Sequence, residues 1–320
     1  MTRIDEQLFS ERCVMAPMAG VTDRPFRNLA RELGAGLMVA EMLTSDVRLY
    51  RSNKSQQRLN YHDEPGLRWV QIAGAEPEMM AEAARFNADH GADVIDINMG
   101  CPAKKVCNKA AGSALLRDEA LVERILAAVV EASPVPVTLK IRLGWCPESI
   151  NAPRIASIAE AAGISALTVH GRTRACRFGG SANYAAIADV VSATRLPVVA
   201  NGDITSPEQA AQVIRSTGAA AVMVGRAAQG RPWLPGQVRS HLKTGQYEPE
   251  PALATLVPLF QQHVQALDAL YGHPRVARKH IGWYLDAAEL GHLKSVFNRL
   301  ESVDAQVDFI ASLPDARLAA

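Results

Sequence analysis

The sequence predicts an α/β protein: a (β/α)8 TIM barrel over residues 1–242, followed by a small all-helical domain over 243–320. Three observations carry that expectation. Short apolar, β-branched runs alternate with longer segments of helical periodicity, the pattern of β/α units whose parallel sheet is buried on both faces. Eight such units fit within roughly 225 residues, the count and length of a (β/α)8 barrel. No strand-like run follows the turn- and proline-rich stretch KTGQYEPEPAL at 243–253. A doubly wound open sheet is the rival, weakened by the eight units and by the lack of G-x-G-x-x-G after the first strand.

Taken in order, the predicted strands are CVMAP (13–17), LMVAEM (37–42), WVQIAG (69–74) and DVIDIN (93–98), then VTLKIR (137–142), ALTVHG (166–171), PVVANG (197–202) and AVMVGR (221–226). Helices are predicted between them, among others at 76–90, 118–132, 154–162 and 207–216. Asp118 and Ser206 stand where N-caps belong, and Gly91, Gly163 and Gly218 stand where helices stop. Beyond the linker, LATLVPLFQQHVQALDALYG and KSVFNRLESVDAQVDFIASL carry apolar residues at helical spacing.

Hydrophobic content of 48% and charged content of 21% are ordinary globular values, and a net charge of +1 gives no global sign of nucleic-acid binding. The opening MTRIDEQLFSERC lacks the apolar core of a signal peptide, and no run of about 18 apolar residues suggests a membrane span. The five cysteines are Cys13, Cys101, Cys107, Cys146 and Cys176. None forms a C-x-x-C pair, which argues against a zinc site or a redox dithiol, so no metal is expected. Their odd number fits a cytoplasmic chain with free thiols. Cys13 is expected to lie buried in the first strand.

Active sites of this barrel form at the C-terminal strand ends. There the sequence places Pro17, Met18 and Ala19; Glu41; Gln71; Asn98 with Cys101; Lys140 and Arg142; His170; Asn201, Gly202 and Asp203; and Gly225 with Arg226. Polar groups in such apolar surroundings are costly unless used. Gly202 and Gly225 allow backbone N–H groups close to a phosphate, and Arg226 supplies counter-charge. Lys140 could act as a Schiff-base amine or stabilise an anion; Arg142, on the same side of its strand, favours the second role.

Four segments, 97–117, 138–147, 168–187 and 222–247, contain no Asp or Glu and hold 13 of the 34 basic residues. If all leave one rim, a near-neutral chain presents a basic face for a polyanion held through its phosphates.

The motifs APMAGVTDRPFR, QIAG, DINMGCPAKKV with GSALL, LKIRLGW, VHGRTR, ANGDI and GRAAQGRPW, in this order from about residue 16 to 234, resemble the bacterial tRNA-dihydrouridine synthases, most closely the B type. ARKHIGWYL at 277–285 extends the likeness. The resemblance implies an FMN-containing barrel that uses NADPH (or NADH) to reduce the C5=C6 bond of a D-loop uridine in tRNA. It implies that Pro17, Met18, Ala19, Gln71, Lys140 and His170 hold the isoalloxazine and ribityl parts. Asn201, Gly202, Asp203, Gly225 and Arg226 would take the phosphate end. Cys101 would protonate C5 of the uracil, and the helical domain would grip tRNA. Asn98, Lys104, Lys105, Arg142, Arg172, Arg174, Arg231 and Lys279 are candidates for uracil or RNA contact. Trp145 and Trp233 are expected to pack rather than stack on RNA. Asn108 departs from the family's basic residue near that position, and Cys107 is an additional thiol. A monomer is expected, because tRNA needs an open rim.

Three other readings compete: a flavin barrel acting on a small molecule, in the manner of dihydroorotate dehydrogenases; a Schiff-base lyase using Lys140; and an RNA-binding barrel without catalysis. The acid-free loops and helical C-terminus weigh against the first.

Overall fold

The computed structural model describes residues 3–61, 64–107 and 110–314. Asn108, Lys109 and the side chain of Lys105 lie outside it. Nine parallel strands form one sheet: β1 Cys13–Met15, β2 Leu37–Met38, β3 Leu43–Thr44, β4 Trp69–Ala73, β5 Val94–Met99, β6 Val137–Arg142, β7 Ala166–His170, β8 Val198–Asn201 and β9 Ala221–Val224. Consecutive strands from β3 to β9 are neighbours, β9 pairs with β1, and β1 pairs with β2. A parallel bridge from Val39 to Trp69 closes the ring. Eight positions around the barrel therefore hold nine strands.

The sequence expects one second strand at 37–42, whereas the structure divides it. Leu37 and Met38 pair with β1, and Leu43 and Thr44 pair with β4. A barrel strand must satisfy neighbours on both sides while it bends, and this one passes its pairing from one to the other across residues 39–42.

The register sets which side chains face the barrel axis. Trp69 sits opposite Val94, Gln71 opposite Asp96, Asn98 opposite Lys140, Arg142 opposite His170, and His170 opposite Asn201. Side chains alternate along a strand, so Trp69 and Gln71, or Lys140 and Arg142, share the interior. At the strands' N-terminal ends the interior is apolar, with Val14, Val39, Trp69, Val94, Ala166, Val199, Ala221 and Met223 packed together. Above that layer the interior turns polar.

The outer helices follow their sequence signals. Helix Glu119–Ala132 starts where the Asp118 carboxylate accepts from Leu121 N–H at 3.0 Å, and helix Pro207–Thr217 where the Ser206 hydroxyl accepts from Gln209 N–H at 3.2 Å. Helix Pro207–Thr217 ends on Gly218 at φ 72°, a left-handed turn that glycine adopts without strain. Cys13 is buried, as expected. Helix Leu234–Thr244 runs two residues into the expected linker before Gly245 stops it.

The C-terminal helices Leu253–Tyr271, Ala277–Ala287, Lys294–Phe297 and Val303–Ala311 build a separate core around Phe260, Tyr284, Leu285, Phe297 and Ile310. Leu29, from helix Arg24–Glu32 of the barrel, and Trp233 belong to that same core. The long helix Leu253–Tyr271 thus rests against the first barrel helix.

Candidate active site

A cavity of about 810 Å3 opens at the C-terminal strand ends. Its wall includes Pro17, Met18 and Ala19 after β1, Gln71 on β4, Asn98 and Cys101 on and after β5, and Lys140 and Arg142 on β6. His170 on β7, Asn201, Gly202 and Asp203 on and after β8, and Gly225 and Arg226 after β9 also line it, whereas the expected Glu41 does not: its carboxylate accepts from Gly20 N–H and pairs with Arg58. The volume falls inside the roughly 300–1,000 Å3 range of small-molecule sites.

On one side an amide relay fixes the cysteine loop. Thr138 Oγ1 donates to Asp96 Oδ1 at 2.7 Å, Gln71 Nε2 donates to Asp96 Oδ2 at 2.6 Å, and Asn98 Nδ2 donates to Gln71 Oε1 at 2.7 Å. Asn98 Oδ1 then accepts from the N–H of Gly100 at 3.1 Å and of Cys101 at 3.0 Å. Each amide has its orientation set by the next, so Gln71 and Asn98 hold the turn that carries Cys101. Burial raises the Asp96 carboxyl to about 6, against the lowering effect of Gln71 and Thr138. The far side of the turn is clamped by Ser113, whose hydroxyl and N–H both donate to Cys101 O, at 2.9 and 3.2 Å. Gly112 packs against it at φ 63°; a Cβ there would meet Cys101 O at 2.8 Å. Glycine alone meets both conditions.

Burial pushes the Cys101 thiol above its ordinary pKa, opposed by Arg142 and Lys140. The basic neighbours, which the sequence alone leaves as a possible cause of a thiolate, lose to desolvation. Burial and the Arg142 charge lower Lys140 to about 8, and its ammonium donates to Asn201 Oδ1 at 3.0 Å. Asn201 in turn donates to Met223 O at 2.8 Å, which fixes its amide. His170 is held neutral: burial first, then Lys140, Arg142, Arg172 and Arg226, disfavour its charged form.

The opposite side suits an anion. Gly202 at φ 123° brings backbone against His170; a Cβ would lie 3.0 Å from His170 Cδ2. The N–H groups of Gly202 and Asp203 have no hydrogen-bond partner among the described residues. Arg226 is half exposed and its guanidinium lies over the Phe178 ring at 4.8 Å. The Asp203 carboxylate reaches part of this donor set, accepting from the Arg226 guanidinium at 3.3 Å. It accepts from Arg172 at 2.6 and 2.9 Å and from Ala182 N–H at 2.8 Å, and these partners hold its pKa down against burial.

The basic residues divide. Lys104 and Lys279 are exposed, and Lys279 Nζ would lie 3.2 Å from a Cβ on Gly20, so a helical-region lysine reaches the first barrel loop. Arg174 lies over the Trp145 ring at 4.4 Å and Arg117 over the same ring at 5.0 Å. Trp233 is buried and its indole N–H donates to Glu250. Arg172 and Arg142 are buried, with donors committed to Asp203 and to backbone carbonyls at 179 and 180, and at 100, 173 and 177, respectively. The expectation that Arg172 meets RNA is therefore replaced by a structural role: it anchors Asp203 and the 171–181 loop. Arg231 is engaged by Glu250 and by Thr205 O at 3.1 Å.

A second correction concerns the basic face. Arg239 and Lys243 pair with Glu11, two residues before β1 begins, at the opposite end of the barrel. Helix Leu234–Thr244 carries them away from the rim on which the sequence reading put them. Sequence reasoning also missed Phe178. It lines the cavity while 51% exposed, and it carries Arg142 at 5.4 Å and Arg226 at 4.8 Å over its ring.

Fold and cavity together define an enzyme of the (β/α)8 class. Residues 14–317 match the family described as Dihydrouridine synthase (Dus), and the chain belongs to that family. It is 56% identical over 312 residues to tRNA-dihydrouridine synthase B of Xanthomonas axonopodis pv. citri, covering 96% of this chain and 94% of that one. It is 54% identical to the protein of the same name in Pseudomonas aeruginosa, covering 96% and 93%. The corresponding Escherichia coli protein is 51% identical, with coverage of 96% and 97%. Among solved structures, histamine dehydrogenase from Rhizobium sp. 4-9 superposes with a TM-score of 0.54 at 12% identity, over 79% of this chain and 48% of that one. That likeness is one of fold.

Proposed function

We propose that the protein is a B-type tRNA-dihydrouridine synthase that reduces a D-loop uridine to 5,6-dihydrouridine, with FMN as cofactor and NADPH or NADH as reductant. The observation that carries the reading is Cys101: a protonated thiol on a rigid turn at the mouth of a cavity whose far side offers free backbone N–H groups and Arg226.

The residues present fit FMN. Gly202, Asp203, Gly225 and Arg226 would hold its phosphate, Asp203 through its backbone, with Asn201 beside them; the unpartnered N–H groups at 202 and 203 are what a phosphate needs. Pro17, Met18, Ala19, Gln71, Lys140 and His170 would enclose the ring and ribityl chain. When bound, the cofactor supplies hydride to C6 of the uracil.

The chain's own residues then complete the reduction. Cys101 donates the Sγ proton to C5, and Arg142 and Lys140 stabilise the thiolate left behind until solvent restores the proton. Lys140, charged below about pH 8, supplies positive charge beside the cofactor ring. Neutral His170 contributes a hydrogen bond without adding charge. Arg142 supports the substrate side from beneath, and Asn98 orients the Cys101 turn and the uracil above it. The base must leave its stack to reach this depth.

Lys104, Lys105, Arg174, Arg231 and Lys279 are proposed phosphate contacts, with residues 243–320 forming a tRNA-gripping domain and the protein acting as a monomer. Among the described residues all five cysteines are free and no helix is long and apolar enough to cross a membrane. A cytoplasmic setting is proposed with them.

The test is direct. The purified protein, NADPH and tRNA lacking the modification are incubated, and the RNA is digested and analysed. Dihydrouridine in the D-loop supports the proposal; unchanged tRNA together with reduction of a small pyrimidine would move the assignment to a small-molecule reductase.

A further inference from the structure

Outside the cavity, the most unusual group of side chains lies where the barrel meets the C-terminal helices. Asp23 caps helix Arg24–Glu32, His263 lies on helix Leu253–Tyr271, and His280 on helix Ala277–Ala287. All three are at least 97% buried. One donor atom of each lies within 4.8 Å of the other two.

The surroundings make this arrangement costly as it stands. Phe26 packs on both imidazoles, at ring distances of 6.0 and 5.6 Å, and Trp283 meets His280 edge-on. Among the described residues, His263 Nε2 and both ring nitrogens of His280 have no hydrogen-bond partner. Buried polar atoms in folded proteins are nearly always partnered, and an orphan costs about 1–3 kcal/mol. Neither imidazole bonds to the Asp23 carboxylate, which accepts from Phe26 N–H at 3.1 Å and the Tyr271 hydroxyl at 2.9 Å. Burial disfavours charge on both histidines and on Asp23. Glu41 adds a second negative charge nearby and is itself paired with Arg58 at 3.2 Å, while the Lys279 charge favours the Asp23 carboxylate.

We propose that Asp23, His263 and His280 form a structural site for a divalent cation of the zinc class, which ties the C-terminal helices to the first barrel loop. Two imidazoles and a carboxylate are a donor set for such an ion, and neutral imidazole is the form that ligates. Bonds of about 2.0–2.2 Å require the cluster to tighten through modest side-chain rotation. The outer partners are in place. Tyr284 lies 2.9 Å from His263 Nδ1, so Nδ1–H donates to its oxygen while Nε2 ligates, and Tyr271 orients the carboxylate. The ion would partner His263 Nε2 and one nitrogen of His280. The expectation of no metal rested on cysteine spacing, which is blind to ligands drawn from three helices. Five residues before Asp23 lies Met18 in the cavity wall, so the site would also brace that loop.

The test uses the full chain, stripped with a chelator and returned to Zn2+. The proposal predicts about one zinc per chain and a Tm raised by roughly 5 °C or more at hundredfold excess over Kd. Co2+ in place of zinc should give visible bands without thiolate charge transfer, which separates this site from adventitious binding at the five cysteines. His263→Leu and His280→Leu should each abolish the zinc-dependent Tm shift. If either fails to fold, Asp23→Asn, which keeps an N-cap oxygen, carries the same readout. Absence of stoichiometric binding, or a zinc-dependent shift that survives in these variants, overturns the proposal.

Discussion

The two halves of the barrel interior are built from the same strands and behave differently. Toward the N-terminal ends, Val14, Val94, Val199, Ala221 and Met223 fill the axis with apolar volume. Further along the same sheet, toward the strands' C-terminal ends, Gln71, Asp96, Lys140, His170 and Asn201 face the same axis with polar or charged groups. The lower layer gains by excluding water, and the upper layer costs stability in order to hold charges and amides in fixed positions. Trp69 joins them: its ring packs in the lower layer and its indole N–H donates to Thr138 Oγ1 at 2.9 Å, the first member of the relay that ends at Cys101.

Substitutions that act on one half alone sharpen this division. The largest expected effect is at Cys101→Ala: loss of about 10²–10⁴-fold in dihydrouridine formation, with Tm unchanged. Met223→Ala should do the reverse, costing about 2–5 kcal/mol in a denaturant melt through its cavity while FMN affinity stays the same. Lys140→Met should weaken FMN binding by roughly 10–100-fold, the worth of one charge-assisted hydrogen bond. The wild type should show a milder form of that change with pH. Lys140 titrates near 8, so FMN affinity should hold below that value and fall as pH rises through it, and Lys140→Met should flatten this limb. The smallest effect belongs to Arg239→Gln at the lower end, a half-buried pair with Glu11 expected to contribute about 1 kcal/mol and nothing to tRNA affinity. A large tRNA effect there would break the division between the ends.

The strands and most of the cavity wall were legible because both depend on local pattern. A short β-branched run marks a strand, and the residue at its C-terminal end must face the site once the barrel is closed. Lys140 and His170 stood out as polar residues in apolar runs. Pairing register is less visible, because it is decided between segments. Nothing in the local sequence says that Asp96 meets Gln71 and Thr138 inside the barrel. The break in the second strand has the same origin, since LMVAEM carries no turn signal and its two ends answer to different neighbours. Phe178 lies in a loop without periodicity, and Arg172 could be read as buried only once Asp203 was beside it. Arg239 and Lys243 leave the rim because a helix starting at Leu234 carries residues five to nine positions on by about 7–14 Å.

One measurement tests the central claim, that Cys101 is a held, protonated thiol completing a reduction begun in the cavity. The enzyme's flavin is reduced anaerobically, unmodified tRNA is added, and reoxidation is followed by absorbance alongside dihydrouridine in the RNA. The account predicts fast reoxidation with matching product for the wild type. For Cys101→Ala it predicts flavin binding intact and product formation slowed by the factor given above. Equal product from Cys101→Ala, or reduced enzyme indifferent to tRNA, would contradict it.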